Sequence, residues 1–302
     1  MMRKNMEKWE TKSAIVILNY NGSDLTIECI RSLRECSELL NIVVVDNCST
    51  DQSYEKIKKI FEKDKYTYII ANNENAGYAA GNNVGLRYIE KNLEKVETVC
   101  IMNPDIKVES VDTLYHLYEA LWSEEKLAVI TAQTIYNGKL RYPNDFGWKH
   151  LTTKYMLLGG TLLGKIIKTS IRYSSIDVNP ENIAYADIVQ GCFFMAKLKL
   201  FKEVDYFDEG TFLYEEEAIL GKKMQRAGYK EAVLINEFVY HNHHEKDKKL
   251  IKRKNKIFDM TCFYNSRKHY VKFYSEISEI KKRLICTYLD LDLFIKKMII
   301  RL

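Results

Sequence analysis

The sequence Cys100-Ile101-Met102-Asn103-Pro104-Asp105 closes an apolar run that begins at Val96. A short apolar run bounded by turn residues predicts a buried β-strand. Proline lacks the backbone donor that a strand needs, so the strand ends before Pro104 and Asp105 lies just beyond its carboxyl end. Open α/β sheets bind their ligands at that edge, where a carboxylate can hold a divalent cation. The stretch therefore predicts a ligand site at the end of a central strand.

The preceding sequence repeats the arrangement of an apolar run followed by polar residues. Three further strands are predicted: Ala14–Leu18 before Tyr20 and Asn21, Ile42–Val45 before Asp46, and Tyr66–Ala71 before Asn72 and Asn75. Apolar residues at helical spacing lie between the strands. This alternation predicts βαβ units, so we expect an α/β fold with a mostly parallel central sheet and flanking helices. Four strand ends then meet at one crevice.

Composition excludes several classes of protein. The chain has 302 residues, of which 46% are hydrophobic and 29% charged, which is typical of a globular protein. A net charge of +5 gives no reason to expect a nucleic-acid partner. The seven cysteines include no Cys-x-x-Cys pair, so we expect reduced thiols in a cytoplasmic protein. Met1–Lys12 has no apolar segment and no later run is long enough to span a bilayer, so we expect neither a secretory signal nor a transmembrane helix.

The second half of the chain has fewer regular patterns. Pro143–Ile183 is a long irregular segment, of the kind that forms lids or binding loops. Glu215-Glu216-Glu217 begins a predicted helix that ends at Gly228, and acids in a first turn also suit the helix dipole without any further role. His241 follows another predicted strand and fits either a ligand-binding position or a solvated loop.

Six stretches, taken in order, resemble the motifs of the family-two glycosyltransferases. They are Ile17–Gly22, Val43–Asp51, Asn72–Asn83, Asn103–Asp105, Gly191–Met195 and Phe212–Glu217. The resemblance is greatest to the bacterial rhamnosyltransferase-like branch, which builds cell-surface polysaccharides. It covers roughly residues 13–244 and implies the GT-A fold of nucleotide-diphospho-sugar transferases.

The resemblance also implies a nucleotide-diphospho-sugar donor, with uridine or thymidine as the nucleoside. It assigns donor binding to Tyr20, Asn21, Asp46, Asn75, Gly77, Asn82, Asn103 and Asp105. Of these, Tyr20 and Asp46 would bind the pyrimidine, which presents a flat face and one acidic NH. Gly77 would permit close approach of the backbone to the diphosphate.

A divalent cation, Mg²⁺ or Mn²⁺, is the cofactor that the resemblance implies. Asp105 and His241 would be its ligands from this chain. The family's usual Asp-x-Asp is replaced by Asn103-Pro104-Asp105, which leaves one acidic ligand fewer. We therefore expect weak metal affinity until the diphosphate adds its oxygen atoms.

Glu217 takes the position of the family's general base. An inverting transfer needs a carboxylate that takes a proton from the acceptor hydroxyl on the face opposite the leaving diphosphate. The family usually has Glu-Asp where this chain has Glu-Glu, so Glu216 is a second candidate. The implied activity moves a hexose or deoxyhexose to a saccharide acceptor, free or lipid-linked, in the synthesis of cell-surface polysaccharide or glycoconjugate.

Residues 246–302 are predicted to form a basic, aromatic helical extension of a catalytic domain over residues 1–245. An apolar stripe recurs every three or four residues at Ile280, Leu284, Tyr288, Leu291, Ile295 and Met298. Such a helix can lie on an anionic membrane surface, cap the core or form a homodimer. The predicted location is the cytoplasm, either free or at the inner face of the membrane.

Two other functions fit parts of the sequence. The Asn at position 103 and the Glu-Glu pair leave open a catalytically silent nucleotide-sugar-binding or scaffold protein that keeps the same fold. A dinucleotide-dependent oxidoreductase fits the alternation of strands and helices, but Asn19-Tyr20-Asn21-Gly22 stands where GxGxxG is required. A sugar-transfer assay separates the enzyme from the silent protein.

Overall fold

A computed structural model describes residues 9–140, 146–241 and 253–301. In these ranges ten strands form one sheet in the order β3-β2-β1-β4-β9-β6-β10-β5, with β7 beside β6 and β8 beside β10. The strands are β1 (Ser13–Asn19), β2 (Asn41–Asp46), β3 (Thr67–Ala71), β4 (Thr98–Met102), β5 (Ile106–Lys107), β6 (Leu127–Tyr136), β7 (Lys139–Leu140), β8 (Ile183–Ala186), β9 (Phe193–Lys197) and β10 (Lys230–His241). The helices described with them are α1 (Ser23–Cys36), α2 (Ser53–Phe61), α3 (Tyr78–Asn92), α4 (Val111–Trp122), α5 (Thr153–Leu158), α6 (Leu162–Ile166), α7 (Leu198–Glu203), α8 (Glu216–Arg226), α9 (Arg253–Phe273) and α10 (Glu279–Arg301).

The first four strands pair in parallel, as their alternation with helices predicts. Asn19 of β1 pairs with Asp46 of β2, which in turn pairs with Ala71 of β3, and Ile17 pairs with Met102 of β4. All four strands therefore end at one edge of the sheet. This confirms the predicted meeting of their polar loops.

The second half makes the sheet mixed. Strand β9 lies antiparallel between β4 and β6, while β10 runs parallel to β6. A tight turn at Asn137-Gly138, with φ of 47° and 74°, returns β6 into β7. These positive φ values suit Asn and Gly because neither pays the full steric cost of the left-handed region.

Hydrophobic residues cover both faces of the sheet. Ile15 and Val44 pack on one face with α1, α2 and α4, whereas Val16 and Val43 pack on the other with α3. Alternate strand residues point to opposite faces, so a strand buried on both sides is apolar throughout. The unbroken Ile-Val-Val-Val of β2 meets that requirement.

The C-terminal helices share a third core cluster with the sheet domain. Ile219 of α8 and Met156 of α5 pack there with Tyr264 of α9 and Leu289 of α10. The predicted boundary between residues 245 and 246 lies outside the described residues. Among the helices that are described, none combines the length and the apolar character needed to cross a bilayer.

The predicted stripe of α10 faces largely outward. Leu284 and Leu291 are exposed, while Ile285, Leu289 and Leu293 are buried against the domain. The helix therefore caps the core through the apolar face of Ile285, Leu289 and Leu293. This face lies opposite the predicted stripe.

Candidate active site

Asp46 is buried at the end of β2 and is held by its own neighbours. Its carboxylate accepts hydrogen bonds from Asn19 Nδ2 (2.7 Å), Ser49 N (3.0 Å) and Ser49 Oγ (2.7 Å). A carboxylate has about four acceptor positions, so three local donors leave room for one more. The residue can therefore shape the loop and still accept a single NH from a ligand.

Tyr20 and Asn21 have different surroundings in the loop after β1. The Tyr20 side chain is 49% exposed. The Asn21 side chain is engaged with the loop after β2, where its Oδ1 accepts from Thr50 N at 2.8 Å. Asn21 N also donates to Ser49 Oγ at 2.9 Å. Asn21 thus joins two loops, and Tyr20 presents a ring to solvent beside them.

Gly77 lets the loop after β3 approach the irregular segment that precedes Glu215. Its φ is 103°, and a methyl group there would lie 2.2 Å from the Phe212 carbonyl oxygen. Asn75 Oδ1 accepts from Gly77 N at 3.1 Å and from Asn47 Nδ2 at 2.9 Å. Asn82, by contrast, is buried within α3, where it donates to the Tyr78 carbonyl one turn earlier at 3.0 Å.

Tyr78 connects the end of β4 with Glu217, and sequence reasoning did not single it out. Its hydroxyl lies 3.0 Å from Asn103 Oδ1 and 2.9 Å from the Gly191 carbonyl oxygen. Gly191 is in turn next to Glu217, because a methyl group on it would lie 3.6 Å from Glu217 Oε2. The available signal was an aromatic residue at the first position of a helix within a Gly/Asn-rich loop.

Asp105 and His241 meet as the resemblance implied. Strand β5 pairs with the end of β10, which brings His241 Nε2 to 3.0 Å from Asp105 Oδ2. The Tyr136 ring covers the imidazole, with ring centroids 5.1 Å apart. Carboxylate oxygen and imidazole nitrogen are both donors that Mn²⁺ or Mg²⁺ accepts. Within the described ranges no group of three or more His, Cys, Asp or Glu side chains is placed to hold a metal, so this pair would need ligand oxygens to complete a coordination sphere.

Glu217 lines a cavity of about 800 Å³ at the start of α8. Burial, together with the negative charge of Glu215, raises the pKa of the Glu217 carboxyl to about 7, and Arg267 opposes the rise. A carboxyl group with a pKa near 7 exchanges protons readily at neutral pH. This is the behaviour required of a general base.

Glu216 points elsewhere. It is buried and is not among the residues that line the cavity, and its Oε1 has no hydrogen-bond partner within the described part of the chain. Burial and the adjacent Glu217 raise its pKa to about 8. Of the two candidates for the base, Glu217 is the one that faces the open space.

Glu215 forms a buried ion pair that sequence reasoning missed. Its carboxylate lies 2.5 Å from Arg267 Nη2, and both side chains are almost fully buried. Arg267 comes from α9, where its Nη1 also donates to the Tyr155 carbonyl at 3.0 Å. Tyr214 and Glu215 have φ of 74° and 66°, so this ion pair fixes a left-handed turn just before the candidate base. The signal in the sequence was a cation, Arg267, among the aromatic residues of the C-terminal extension.

The long irregular segment supplies one wall of the cavity. Its contributions to the lining include Trp148, Tyr155, Lys168 and Arg172. Aromatic faces with a few cations suit a saccharide that carries polar or anionic groups. That this part of the chain acts as a binding loop stays a prediction.

Tyr136 joins the two acidic parts of the site. Its ring packs on the His241 imidazole, with centroids 5.1 Å apart, and it also lines the cavity that contains Glu217. The Asp105–His241 pair and the Glu217 cavity are therefore neighbouring parts of one region.

Comparisons with known proteins agree on one family. The sequence pattern of glycosyl transferase family 2 matches residues 14–196. The chain is 25% identical over 207 residues to the low-salt glycan biosynthesis hexosyltransferase Agl10 of Haloferax volcanii, covering 68% of this chain and 58% of that protein. It is 22% identical over 220 residues to the rhamnosyltransferase WbbL of Escherichia coli, covering 71% and 77%. The chain thus spans less than two thirds of the Haloferax protein.

Solved structures share the fold. The mannosyltransferase PcManGT from Pyrobaculum calidifontis, in complex with GDP-Man and Mn²⁺, superposes with a TM-score of 0.56 at 15% identity, over 96% of this chain and 73% of that one. GalNAc-T7 with UDP, GalNAc and Mn²⁺ superposes with a TM-score of 0.59 at 14% identity, over 94% of this chain and 57% of that one. TarS residues 1–349 from S. aureus, in complex with UDP-GlcNAc, superpose with a TM-score of 0.52 at 18% identity, over 94% of this chain and 73% of that one. At these identities the likeness establishes a GT-A fold.

Proposed function

The chain belongs to glycosyl transferase family 2 and is a glycosyltransferase, and from that premise we propose an inverting transfer of a hexose or deoxyhexose. The donor is a UDP- or dTDP-sugar, and the acceptor is a saccharide, free or lipid-linked, in cell-surface polysaccharide or glycoconjugate synthesis. The single observation that carries the proposal is Glu217, a carboxyl group with a pKa raised to about 7 that lines a cavity beside the Asp105–His241 pair.

The donor is assigned to the edge where β1, β2 and β4 end. Asp46 has one acceptor position to spare for the imide NH of a pyrimidine, and Tyr20 has an exposed ring for its face. Gly77 lets the loop after β3 pack closely on Phe212, which would hold that loop at the edge where the diphosphate is proposed to bind. Support for such a donor comes from similar folds that bind UDP, UDP-GlcNAc and GDP-Man.

Glu217 is assigned the role of general base. It takes the proton from the acceptor hydroxyl, whose oxygen then attacks the anomeric carbon as the bond to the diphosphate breaks on the opposite face. The new bond to the acceptor oxygen forms in the same step in which the bond to the diphosphate breaks, so the configuration at that carbon inverts. Trp148 and Tyr155 in the cavity wall would orient the acceptor ring.

A divalent cation is assigned to Asp105 and His241. Similar folds bind Mn²⁺ together with the nucleotide sugar, and the oxygen and nitrogen donors of this pair suit such an ion. The ion would neutralise negative charge on the departing diphosphate. We expect Asp105→Asn to raise the Mn²⁺ concentration needed for half-maximal turnover at least tenfold, as measured by titration of the metal in a donor-turnover assay.

The C-terminal helices and the location of the chain are further parts of the proposal. All seven cysteines are free, which suits the reducing cytoplasm. Beyond capping the core, two alternative roles are considered for the helices, contact with an anionic membrane surface or formation of a homodimer. Binding to anionic vesicles supports the first, and a dimeric mass in solution supports the second.

Transfer assays with purified chain, Mn²⁺ and a panel of nucleotide sugars test the activity. Removal of a general base typically slows a reaction by roughly 10²–10⁴-fold, and we expect this loss in Glu217→Gln while donor still binds. Glu216→Gln is the matched control, with an expected loss below roughly tenfold because its carboxyl group does not line the cavity.

Equal losses in the two variants would contradict the assignment of the base. A wild-type chain that binds donors without turning any of them over would instead support the silent nucleotide-sugar-binding protein. Binding of each donor is followed by the shift in melting temperature that a bound ligand produces.

A further inference from the structure

Helix α10 has an apolar face that the protein itself does not cover. Ile280, Leu284, Leu291, Phe294 and Met298 are between 46% and 72% exposed. Their spacing puts them on one side of the helix. The opposite side, which includes Ile285, Leu289 and Leu293, is already buried against the domain, so capping the core does not explain the exposed residues.

The short helix α6 extends this surface. Leu162 N donates to Asp292 Oδ1 at 3.0 Å and the Tyr288 hydroxyl donates to Thr161 Oγ1 at 3.2 Å, so α6 is fixed against α10. Ile166 is 80% exposed, and Leu163 and Ile167 are also exposed. The outer face consists of these three residues together with the exposed apolar residues of α10, which are Ile280, Leu284, Leu291, Phe294, Ile295 and Met298. An exposed apolar area on two adjoining elements is typical of an interaction surface.

The charges around the outer face are mostly basic. Exposed cations on the same segments are Lys165, Lys168, Lys281 and Arg283, with Lys297 partly exposed. The acidic residues of α10 are each within ion-pair distance of a lysine, in the pairs Lys282–Glu279, Lys268–Asp290 and Lys296–Asp292. The surface therefore combines apolar side chains with a net positive border.

We propose that the outer face docks on an anionic lipid bilayer. Apolar side chains enter the boundary between head groups and acyl chains, and the lysines and arginines contact the anionic head groups. A second copy of the chain fits less well, because a two-fold contact through this face would bring the basic borders of both copies together. Charge complementarity selects the bilayer.

Docking in this way places the cavity at the membrane. Gly164 and Lys168 line the same cavity as Glu217, while Ile166, between them in sequence, is 80% exposed and belongs to the outer face. The cavity and the docking surface thus share one short segment. Resting on the proposed function, this makes the acceptor a saccharide that is presented at the bilayer surface.

Sedimentation of the full chain with vesicles tests the proposal. We expect strong binding to vesicles of phosphatidylcholine with phosphatidylglycerol, and weak binding to phosphatidylcholine alone. Phe294→Asp and Ile166→Asp should each weaken binding roughly tenfold or more, because burial of one large apolar side chain is worth about that factor. Lys165→Glu and Lys297→Glu should each lower binding to the anionic vesicles roughly fivefold.

The matched control is Ile60→Asp on α2. Ile60 and Ile295 of the outer face are both isoleucines that are 40% exposed. Ile60→Asp should bind vesicles like the wild type, and Ile295→Asp should not. Melting curves of all variants check that an exposed substitution has left the fold intact.

Three outcomes would overturn the proposal. They are absence of binding to anionic vesicles, equal binding by Ile295→Asp and Ile60→Asp, and a dimeric mass by light scattering that Phe294→Asp converts to a monomer. Vesicle binding is measured without any sugar donor. Its failure therefore differs from failure of the proposed function, which appears only in the transfer assay.

Discussion

Glu217 occupies a position where a carboxyl group is hard to ionise. It is partly buried at the start of α8, two residues after Glu215, and this environment raises its pKa to about 7. A base with a pKa near the working pH is ionised often enough to act and still basic enough to hold a proton. The chemistry of the site therefore depends on burial of one side chain as much as on its identity.

The rate of transfer should depend on pH through this group. Glu217 acts as a base only when ionised, so the rate should rise with pH and level off above about pH 7. We expect kcat to show this inflection in a pH series with saturating donor. An inflection near the value of an exposed glutamate, roughly 4.3, would contradict a buried base.

Control of the pH series comes from Glu217→Gln. Glutamine does not titrate, so the residual rate of this variant should lack the inflection near pH 7. Persistence of the inflection would assign it to another titrating group. Glu216, with a pKa raised to about 8, is the adjacent candidate.

At the scale of elements, the two loops that meet at Gly77 and Phe212 hold the proposed donor edge against the start of α8. Tyr78 N donates to the Phe212 carbonyl at 2.8 Å, directly beside the glycine. The approach is possible only because position 77 has no side chain. The loop after β3 is thus joined by backbone contact to the segment that leads to the candidate base.

Gly77→Ala should separate these loops. The new methyl group collides with the Phe212 backbone, and the positive φ adds strain. We expect the free energy of unfolding to fall by about 2–4 kcal/mol, together with weaker donor binding. Chemical denaturation and donor titration measure the two effects.

Gly138→Ala is the matched control for backbone strain. Gly138 also has a positive φ, 74°, but no atom of the described residues lies within 4 Å of the position that its methyl group would take. Its cost should be only the left-handed strain, about 1 kcal/mol, with unchanged donor binding. Equal effects of the two substitutions would show that the contact with Phe212 is unimportant.

Arg267 connects another pair of elements, α9 and α8. Removal of its guanidinium leaves Glu215 buried without its partner, which typically costs about 3–5 kcal/mol. Arg267 also lowers the pKa of Glu217, so Arg267→Met should move the pH–rate inflection upward. Denaturation curves and the pH series measure these outcomes.

Two further variants define why Arg267→Met loses stability. Lys268→Met removes the next cation of α9, whose partner Asp290 is exposed, and should cost below about 1 kcal/mol. Arg267→Met combined with Glu215→Gln leaves no buried charge without a partner, so stability should partly recover. An unrecovered double variant would point to lost packing on Tyr155 and Phe263 instead.

For the whole molecule, the C-terminal helices and the sheet domain share one core. Ile219 of α8 and Ile188 pack in the same cluster as Tyr270 and Leu289 of the last two helices. Elements that bury each other's apolar surface unfold together in a single cooperative transition. The helical extension is therefore expected to behave as part of the catalytic unit.

Deletion of residues 242–302 should prevent stable folding. The shortened chain would expose Ile219 and leave Glu215 without Arg267. We expect loss of the cooperative thermal transition that the full chain shows by circular dichroism. A shortened chain that melted cooperatively near the wild-type temperature would show instead that residues 1–241 are an independent domain.

Local sequence determined the parallel strands, the helices between them and the polar residues at the strand ends. Apolar runs and turn residues act over a few positions, so Asp46, Asn103 and Asp105 could be located at one edge from the pattern alone. The family motifs added Glu217 and His241, and the structure places His241 against Asp105.

Tertiary structure alone decided which glutamate can act in the cavity, which face of α10 is buried and what fills the space around the site. Three adjacent glutamates are alike in sequence, but packing buries Glu216 away from the cavity. Glu215 and Glu217 both line the cavity, and Arg267 engages Glu215 in a buried ion pair. Helix α10 is apolar on two sides, so its pattern could not say which side meets the domain. Contacts between residues far apart in the chain set both outcomes, and no local pattern carries that information.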